Sequence, residues 1–410
     1  MSSDSNMKYL IIVPDGMADS FDNSSDPTSL ESSKTPWMDK MASYGNIGTS
    51  ITIPEGMAPG SDVATLSLMG YSAADTYTGR APFEAASMGI KLKPSDLAFR
   101  LNLVTLDRNF TIMADHSGDH ISTPEAKDLI GSLALEIESL GFEVFPGISY
   151  RNLLVWEDGP DDIVTHPPHD FPGEPIAHYL PSGKGSEKLL RLIVKSWRIL
   201  DKHHVNQRRQ KRGQGPANSV WPWGQGKPPQ LKTLKERFGV TGAVVAAVDL
   251  VRGIGKYAGL DVIDVPGATG YLDTNYEGKV QAAIDALGTH DFVLLHIEAP
   301  DEAGHSGQMD LKIKAIEDFD QRVVGPVLKE LEACENWRIL LAPDHQTPVA
   351  KRVHSSGPIP FLLLDSDSWR KSDGSDQAKF TERAAADSGI KEPLGMNLIE
   401  VLFGRRNLQG

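Results

Sequence analysis

Three apolar segments, each followed at once by acidic residues or histidine, limit the folds open to this chain more than any other feature of the sequence. They are residues 9–14, 291–297 and 337–343, which precede Asp15, Glu298 and Asp344. Uninterrupted apolar runs of this length are typical of parallel strands that are buried on both faces. In open α/β sheets, ligands bind beyond the carboxyl ends of such strands, which is where these polar residues fall.

The pattern between these segments predicts an α/β fold. A further buried strand is expected at residues 242–248, and helices with apolar residues at spacings of three and four are expected at 35–43, 278–287 and 311–331. Because strands alternate with helices, the sheet is expected to be mostly parallel.

The middle of the chain follows a different pattern and predicts a second, smaller α/β or α+β domain. Between about residues 93 and 229, strand-like runs at 97–106, 142–145 and 152–156 occur with helical patterns at 124–140 and 187–200, and a loop rich in proline and histidine covers 159–185. Core-type strands occur both before and after this region. We therefore interpret 93–229 as a domain inserted into a discontinuous core of residues 1–92 and 230–410.

The composition excludes several classes of protein. The 410 residues include 41 Lys and Arg against 55 Asp and Glu, a formal net charge of −14, which argues against a nucleic-acid-binding surface. The single cysteine, Cys334, excludes an intrachain disulfide and a cysteine-rich zinc site. No apolar stretch approaches the roughly 18 residues of a membrane span. Since the first residues also lack the basic-then-apolar order of a signal peptide, we expect a cytoplasmic protein with no membrane partner.

Asp301 and His305 are the first candidate metal ligands. Their i, i+4 spacing places both side chains on one face of a helical turn, and His354 lies in a turn from which its ring could reach them. Taken alone, this is a weak signal, because an Asp that caps a helix beside a surface histidine is the more common arrangement.

Asp15, Asp344 and His345 form a second candidate group at the ends of apolar strands. A single Asp in such a place is commonly a cap or turn residue. Several carboxylates at one edge of a sheet would repel one another unless a cation compensated them. Two clusters of oxygen and imidazole ligands therefore predict a two-metal site for Mn²⁺, Mg²⁺ or Zn²⁺, an arrangement used for phosphoryl transfer.

The candidate nucleophile is Ser61, which follows a Pro-Gly turn at the start of a helical pattern. The helix dipole and a bound metal would both help this hydroxyl to lose its proton. The alternative is that Ser61 only caps the helix.

Several longer motifs resemble those of the archaeal-type, cofactor-independent phosphoglycerate mutases, members of the alkaline phosphatase superfamily. The residues that carry the resemblance are at 13–19, 59–71, 299–305 and 342–345, with shorter matches at 79–84, 99–102, 223–226 and 266–271. The likeness covers nearly the whole chain. It implies an alkaline-phosphatase-like core with a mostly parallel sheet, and an inserted domain that closes over the core to hold the substrate.

The resemblance also implies roles for the candidate residues. One metal would be held by Asp301, His305 and His354, and the other by Asp15, Ser61, Asp344 and His345. Ser61 would take the phosphoryl group of 3-phosphoglycerate as a phosphoserine, and the 2-hydroxyl of the retained glycerate would take it back. This phosphoglycerate mutase reaction of glycolysis and gluconeogenesis would need no 2,3-bisphosphoglycerate. The expected cofactors are two divalent ions, Mn²⁺ first, with Mg²⁺, Zn²⁺ and Co²⁺ as alternatives.

A small anionic substrate requires positive side chains. Arg80 and Arg100 lie in segments that match the family and are candidates for bidentate contacts with phosphate or carboxylate, although either could instead form a surface ion pair. Arg252, Lys256 and Lys227 are further candidates. A homo-oligomer is also compatible with the sequence.

One segment departs from the family pattern. Where the archaeal mutases carry Asp-Arg-Arg-Ala-Gly-Arg-Ile, this chain has Asp-His-Ser-Gly-Asp-His-Ile at residues 115–121. Asp115 is retained and is expected to act as a general base or to orient the substrate hydroxyls, but permanent positive charge is lost. Three alternative functions stay open: a related phosphoryl transferase such as a homoserine kinase-like enzyme, a metal-dependent phosphatase, and a non-catalytic, metal-stabilised binding protein.

Overall fold

The chain forms two compact units. The computed structural model describes residues 7–20, 26–371, 373 and 378–408. The first six residues, on which the expectation of no signal peptide was based, lie outside the described residues. Unit 1 comprises Met1–Tyr77 and Gln230–Gly410, and unit 2 comprises Thr78–Pro229.

Unit 1 is built on an eight-stranded sheet, which confirms the predicted α/β fold class. The strands, in spatial order, are Asp261–Val262, Gly242–Val245, Phe292–Ile297, Met7–Pro14, Asn336–Leu341, Ile359–Asp365, Asn46–Ser50 and Lys391–Glu392. The strand Ile359–Asp365 is antiparallel to both of its neighbours. The other described pairs are parallel, so the sheet is mostly parallel, as expected.

The register of the three central strands aligns their carboxyl ends. Pro14 pairs with Ile297, and Ile12 pairs with Leu341 on the other side. The third strand ends at Leu341, two residues earlier than the apolar run predicts. Ala342 still donates its backbone N–H to the carbonyl oxygen of Ile12 at 3.1 Å, but Pro343 has no N–H with which to continue the ladder. The residues that follow all three strands therefore lie at one edge of the sheet.

Helices cover the sheet of unit 1, and an apolar cluster formed by Leu10, Ile12, Leu295, Leu341 and the facing helices is buried between them. The described α-helices are Ser29–Ser32, Pro36–Tyr44, Ser61–Leu68, Ala73–Thr76, Leu234–Phe238, Asp249–Tyr257, Tyr276–Thr289, Ala299–Ser306, Met309–Phe319, Gly325–Leu331, Ser366–Arg370, Glu382–Asp387 and Leu398–Leu402.

The helix expected at 311–331 is interrupted by a π-helical segment, Asp320–Val324. The buried Asp320 carboxylate at its start accepts hydrogen bonds from the backbone N–H groups of Trp37 (3.2 Å) and Met38 (2.8 Å), which are donors in the first turn of a neighbouring helix. A π-bulge inserts an extra residue into the helical turn. Here the inserted turn begins at Asp320, the residue whose carboxylate makes these two hydrogen bonds. The hydrophobic periodicity carries no signal for that polar contact.

Unit 2 contains a five-stranded sheet in which the described pairs are antiparallel, so this unit is of the α+β kind. The long strand Leu97–Leu106 pairs with Met113–Asp115, Arg151–Trp156 and Ser219–Gly226, and Phe142–Ile148 pairs with Arg151–Trp156. Its α-helices are Ala81–Ser87, Thr123–Ile137, Ser186–Leu200 and His204–Lys211. The loop predicted at 159–185 contains a short ladder of Ile163–Val164 with Ser182–Gly183.

The start of the inserted domain near residue 93 stays a prediction, and the first boundary between the compact units lies at Thr78. The reason is the helix Ala81–Ser87, whose Ala81 and Ala85 pack in one apolar cluster with Ala98 and Leu153 of the second sheet. The second boundary between the compact units lies at Gln230.

Among the described residues, no helix combines the length and apolar character that crossing a membrane requires.

Replacement of Leu295 by Ala should destabilise unit 1. The Leu295 side chain is fully buried between the sheet and its helices, so the substitution removes apolar contacts and leaves a cavity, at a cost of about 2–5 kcal/mol. Chemical denaturation of the metal-free protein measures this loss. Leu135→Ala is the control, because Leu135 is 82% exposed; an equal loss in both variants would contradict the assignment of Leu295 to the core.

Candidate metal centre

Asp301, His305 and His354 direct their ligand atoms toward one point. His305 Nε2 lies 3.2 Å from Asp301 Oδ2, and His354 Nε2 lies 3.4 Å from Asp301 Oδ1. The two Nε2 atoms are 2.9 Å apart. Ligand atoms bound at about 2.0–2.1 Å in a tetrahedral site lie about 3.3 Å from one another, so these separations are close to those of a metal site.

The helix Ala299–Ser306 places Asp301 in its first turn and His305 one turn later. Its N-cap residue is Glu298, and the Asp301 carboxylate instead accepts a hydrogen bond from Thr347 Oγ1 at 2.5 Å. Asp301 is therefore not the helix cap that its position in the sequence also allowed.

Asp15, Ser61, Asp344 and His345 form a second group at the carboxyl ends of the central strands. His345 Nε2 lies 3.4 Å from Asp15 Oδ1, 3.5 Å from Asp344 Oδ2 and 3.2 Å from Ser61 Oγ. The backbone N–H of Gly16 donates to Asp344 Oδ1 at 3.0 Å. This bond joins the loops that follow two neighbouring strands and fixes the two carboxylates relative to each other.

Ser61 is the first residue of the helix Ser61–Leu68. The N-cap position is occupied by Gly60, which offers no side-chain cap, so the alternative that Ser61 only caps the helix does not hold. The hydroxyl is instead directed toward the imidazole of His345. At a helix N-terminus it also lies where the dipole favours negative charge.

The two groups adjoin each other. The rings of His345 and His354 have centroids 4.1 Å apart, and ligand atoms of Asp15, Asp301 and His345 lie within 4.8 Å of one another. The seven residues singled out as ligands in the sequence are thus placed at one edge of the sheet in unit 1.

The electrostatics of the site call for a cation. Burial, followed by the charges of Asp344 and Asp301, raises the pKa of Asp15 well above its ordinary value. Burial alone would also raise the pKa of Asp301, but hydrogen bonds with His305 and His354 hold it well below its ordinary value. The same hydrogen bond with Asp301 raises the pKa of His305 to about 9. A divalent ion would take the place of these protons.

Two carboxylate oxygens in this centre, Asp15 Oδ1 and Asp344 Oδ2, are buried with no hydrogen-bond partner in the described part of the chain. Leaving a buried acceptor without a partner is unfavourable by about 1–3 kcal/mol, and more for a charged group. Carboxylate oxygen, hydroxyl oxygen and imidazole nitrogen are together suitable ligands for Mn²⁺, Zn²⁺ or Mg²⁺. The residues present therefore fit a metal centre.

His296 and Glu298 belong to the surroundings of this centre and were missed in the sequence. His296 Nε2 lies 3.6 Å from Asp15 Oδ2, and His296 Nδ1 lies 3.3 Å from Glu298 Oε1. Glu298 in turn accepts a hydrogen bond from Lys279 Nζ at 2.6 Å. The sequence did contain a signal for His296, because it is a polar residue in a segment otherwise typical of a fully buried strand. A polar side chain buried in this way needs a hydrogen-bond partner.

Thr347 was also missed in the sequence, and it connects the two groups. Its Oγ1 donates to Asp301 Oδ1 at 2.5 Å and lies 3.3 Å from His345 Nδ1. Because a hydroxyl has one proton to donate, Oγ1 accepts from Nδ1–H of His345. This fixes the tautomer in which the Nε2 lone pair of His345 faces Asp15, Asp344 and Ser61.

Two of the predicted anion-binding residues, Arg252 and Lys256, lie on the helix Asp249–Tyr257, which packs against the helix that begins with Ser61. Arg252 Nη2 is 2.5 Å from Asp264 Oδ1, so this guanidinium already forms an ion pair. Lys256 is exposed.

Unit 2 contains the other predicted anion-binding residues. Arg100 Nε lies 3.0 Å from Glu84 Oε1, and Arg80 immediately precedes the helix Ala81–Ser87. Lys227 Nζ is 2.6 Å from Asp161 Oδ1.

Asp115 organises its own loop. Its Oδ1 accepts hydrogen bonds from the backbone N–H groups of Ser117 and Asp119, each at 2.8 Å, and from Ser117 Oγ at 2.6 Å. Burial would raise the pKa of Asp115, but these bonds lower it. The loop is also held by the buried Arg209, which donates to the carbonyl oxygen of Gly118 at 2.8 Å.

Replacement of Thr347 by Val should weaken metal binding at both groups. The valine keeps the side-chain shape but removes the hydroxyl that orients Asp301 and His345, and loss of such an outer-shell partner typically lowers metal affinity about 10–100-fold. Calorimetric titration with Mn²⁺ measures the effect, and Thr347→Ser, which keeps the hydroxyl, is the control. Equal affinities for Thr347→Val and the unaltered protein would refute the bridging role.

Comparison with known proteins identifies the family. The family model of 2,3-bisphosphoglycerate-independent phosphoglycerate mutase matches residues 42–206. A probable 2,3-bisphosphoglycerate-independent phosphoglycerate mutase from Geobacter sulfurreducens is 48% identical over 97% of this chain and 100% of its own length. A 2,3-bisphosphoglycerate-independent phosphoglycerate mutase from Methanosarcina acetivorans is 50% identical over 88% of this chain and 91% of its own length.

Solved structures agree with this result. The PH0037 protein from Pyrococcus horikoshii superposes with a TM-score of 0.81 at 30% identity, with 99% of each chain covered. The cofactor-independent phosphoglycerate mutase from Thermoplasma acidophilum superposes with a TM-score of 0.64 at 26% identity, covering 97% of this chain and 99% of the other. The chain belongs to the family of 2,3-bisphosphoglycerate-independent phosphoglycerate mutases.

Proposed function

We propose that this protein interconverts 3-phosphoglycerate and 2-phosphoglycerate by phosphoryl transfer through Ser61, without 2,3-bisphosphoglycerate. The observation that carries the proposal is the placement of the Ser61 hydroxyl 3.2 Å from His345 Nε2, beside the buried carboxylates of the candidate metal centre. Among the described residues of unit 1, this arrangement brings a nucleophilic side chain to a site suited to a cation.

Two divalent cations are proposed as cofactors, with Mn²⁺ expected and Mg²⁺, Zn²⁺ or Co²⁺ as alternatives. The residues that would hold them are Asp301, His305 and His354 for one ion, and Asp15, Ser61, Asp344 and His345 for the other. When bound, such ions favour the deprotonated hydroxyl and compensate the negative charge of the phosphoryl oxygens.

The side chains themselves position the reaction. Ser61 Oγ forms a bond to phosphorus while the bond from phosphorus to the 3-oxygen of glycerate breaks. In the second displacement, the 2-oxygen of the same glycerate forms the new bond, and the bond to Ser61 Oγ breaks. Water must be kept from the phosphoserine while the glycerate reorients, because hydrolysis would turn the mutase into a phosphatase.

The positive side chains are proposed to bind the anionic groups of the substrate. Arg80 and Arg100 of unit 2 are the stronger candidates, with Arg252 and Lys256 of unit 1 as additional ones. Asp115 is proposed to accept a hydrogen bond from a glycerate hydroxyl. A lowered pKa makes its carboxylate a weak base, so we assign it orientation of the substrate rather than proton abstraction.

Ser61→Ala should abolish mutase turnover, because it removes the hydroxyl beside His345 Nε2, whereas the Thr347 hydroxyl lies at Nδ1 and donates to Asp301. Purified protein is incubated with Mn²⁺ and 3-phosphoglycerate, and the formation of 2-phosphoglycerate is measured with an enolase-coupled assay. Ser72→Ala, which alters a serine of the same unit outside the centre, should retain activity. Turnover near that of the unaltered protein in Ser61→Ala would remove Ser61 from its role.

The same preparation tests the alternative activities. Incubation with homoserine and ATP, and with p-nitrophenyl phosphate, should give rates far below the mutase rate. If mutase turnover does not exceed that of the metal-free control and either alternative substrate is turned over, the activity on that substrate replaces the proposed function.

His305→Ala should weaken Mn²⁺ binding, because it removes one of the three ligands of the first proposed ion. Calorimetric titration should show a lower affinity, with loss of one ion from the stoichiometry at low Mn²⁺. His290→Ala is the matched control, since His290 lies in the same unit and its ring pairs with Asp261 instead. Unchanged stoichiometry and affinity in His305→Ala would argue against this ligand set.

A further inference from the structure

His296 is a polar side chain in an otherwise apolar, buried strand of unit 1. It lies near the end of Phe292–Ile297, opposite Val13 of the neighbouring strand, and it is 0% exposed. Neither of its ring nitrogens has a hydrogen-bond partner in the described part of the chain. Burying an imidazole without such partners is unfavourable, so we expect a group beside the ring that the strand itself does not supply.

Glu298 determines which ring nitrogen carries the proton. His296 Nδ1 lies 3.3 Å from Glu298 Oε1. This oxygen already accepts the backbone N–H groups of Ala247 at 3.0 Å and Val248 at 3.2 Å, and Lys279 Nζ donates to the other oxygen at 2.6 Å. Because a carboxylate oxygen repels a nitrogen lone pair, Nδ1 of the neutral ring carries the proton and the lone pair is at Nε2.

The lone pair at Nε2 faces a carboxylate. His296 Nε2 lies 3.6 Å from Asp15 Oδ2, which is longer than the roughly 2.7–3.2 Å of an N–H···O hydrogen bond. The separation is closer to the about 3.3 Å between two ligand atoms of one tetrahedral metal ion. Two buried electron-pair donors therefore face each other at a distance that suits a metal ion better than a proton.

Asp344 supplies a third ligand atom. A ring nitrogen of His296 and carboxylate oxygens of Asp15 and Asp344 lie within 4.8 Å of one another, and all three residues are buried. Asp344 Oδ1 accepts the backbone N–H groups of Gly16 and His345, whereas Asp344 Oδ2 has no hydrogen-bond partner among the described residues. The oxygen Oδ2 is therefore available to a cation.

The two oxygens of Asp15 face different imidazoles. Oδ1 lies 3.4 Å from His345 Nε2, and Oδ2 lies 3.6 Å from His296 Nε2. Neighbouring ions in two-metal sites are about 3.5–4 Å apart, a spacing that a bridging carboxylate can span. His296 thus faces a position distinct from that of the ion assigned to His345.

We propose that Asp15, His296 and Asp344 bind a third divalent cation, and that Glu298 is the positioning residue that orients the imidazole. One imidazole nitrogen and two carboxylate oxygens suit Mn²⁺ or Zn²⁺. The inference goes beyond the proposed mutase function, which assigns two ions, and it depends only on side chains of unit 1. The third ion should bind more weakly than the other two, because it shares both carboxylates with the second ion and like charges repel.

Equilibrium dialysis of the unaltered protein against Mn²⁺, with elemental analysis of the bound metal, tests the number of ions. We expect the stoichiometry to approach three ions per chain, with the third bound at higher Mn²⁺ than the first two. Anomalous diffraction from crystals soaked in Mn²⁺ locates the ions without any variant. One peak should lie within bonding distance of His296 Nε2 and of one oxygen each of Asp15 and Asp344.

Variants assign the weakest ion to its ligands. His296→Gln should remove that ion from the binding isotherm and leave the two tighter ions bound. His290→Gln is the matched control, because His290 lies in the same unit and its ring pairs with Asp261. Glu298→Gln should lower the affinity for the third ion about 10–100-fold, because it removes the charge that keeps the proton on Nδ1. Thermal unfolding checks that each variant is folded, and a merely structural role would not affect the third ion selectively.

The outcomes separate this inference from the proposed function. Two ions per chain in the unaltered protein, or a third ion that persists unchanged in His296→Gln, overturns the inference. Two anomalous peaks of which one lies at His296 in place of His345 overturn it as well. Each of these results leaves the mutase function standing if the unaltered protein turns over 3-phosphoglycerate. Absence of any bound ion overturns the inference, and absence of turnover in addition overturns the proposed function.

Discussion

The crowding of three buried carboxylates at one end of a parallel sheet is the constraint on which the organisation of unit 1 depends. Asp15, Asp301 and Asp344 are each less than 9% exposed, and the register of the central strands keeps their loops at the same edge. Like charges so placed repel one another in a medium that screens them poorly. Bound cations would compensate that repulsion, and three histidines and a serine hydroxyl lie close enough to the carboxylates to serve as further ligands.

The buried amines near this centre do not supply that compensation, because each has its own acidic partner. Lys279 pairs with Glu298 at 2.6 Å, and Lys312 pairs with Asp19 at 2.7 Å. Lys312 also donates to the carbonyl oxygen of Thr347 at 2.8 Å, which supports the residue that orients Asp301 and His345. These ion pairs connect the loops around the centre, and the charge of the three carboxylates would still have to be compensated by a bound cation. Preorganisation of this kind is what phosphoryl transfer requires.

Positive side chains crowd together around Arg100 in unit 2. Arg100 is held against Trp223 in mostly buried surroundings, with Glu84 as an acidic contact and Arg80 and Arg151 close by. An excess of positive charge suits a carboxylate or phosphate just as an excess of negative charge suits a metal ion. The net charge of −14 therefore does not describe the local surroundings of Arg100.

The sequence by itself determined the α/β core and the polar residues that follow its central strands, since long apolar runs and the i, i+4 pair Asp301 and His305 are local patterns with a direct structural meaning. The tertiary structure alone decided the remainder. Thr347 and His296 acquire their roles through contacts with residues distant in sequence, and the helix Ala81–Ser87 joins unit 2 through packing on Ala98 and Leu153. Such contacts depend on how helices and strands pack against one another in three dimensions. The order of polar and apolar residues along the chain does not specify that packing.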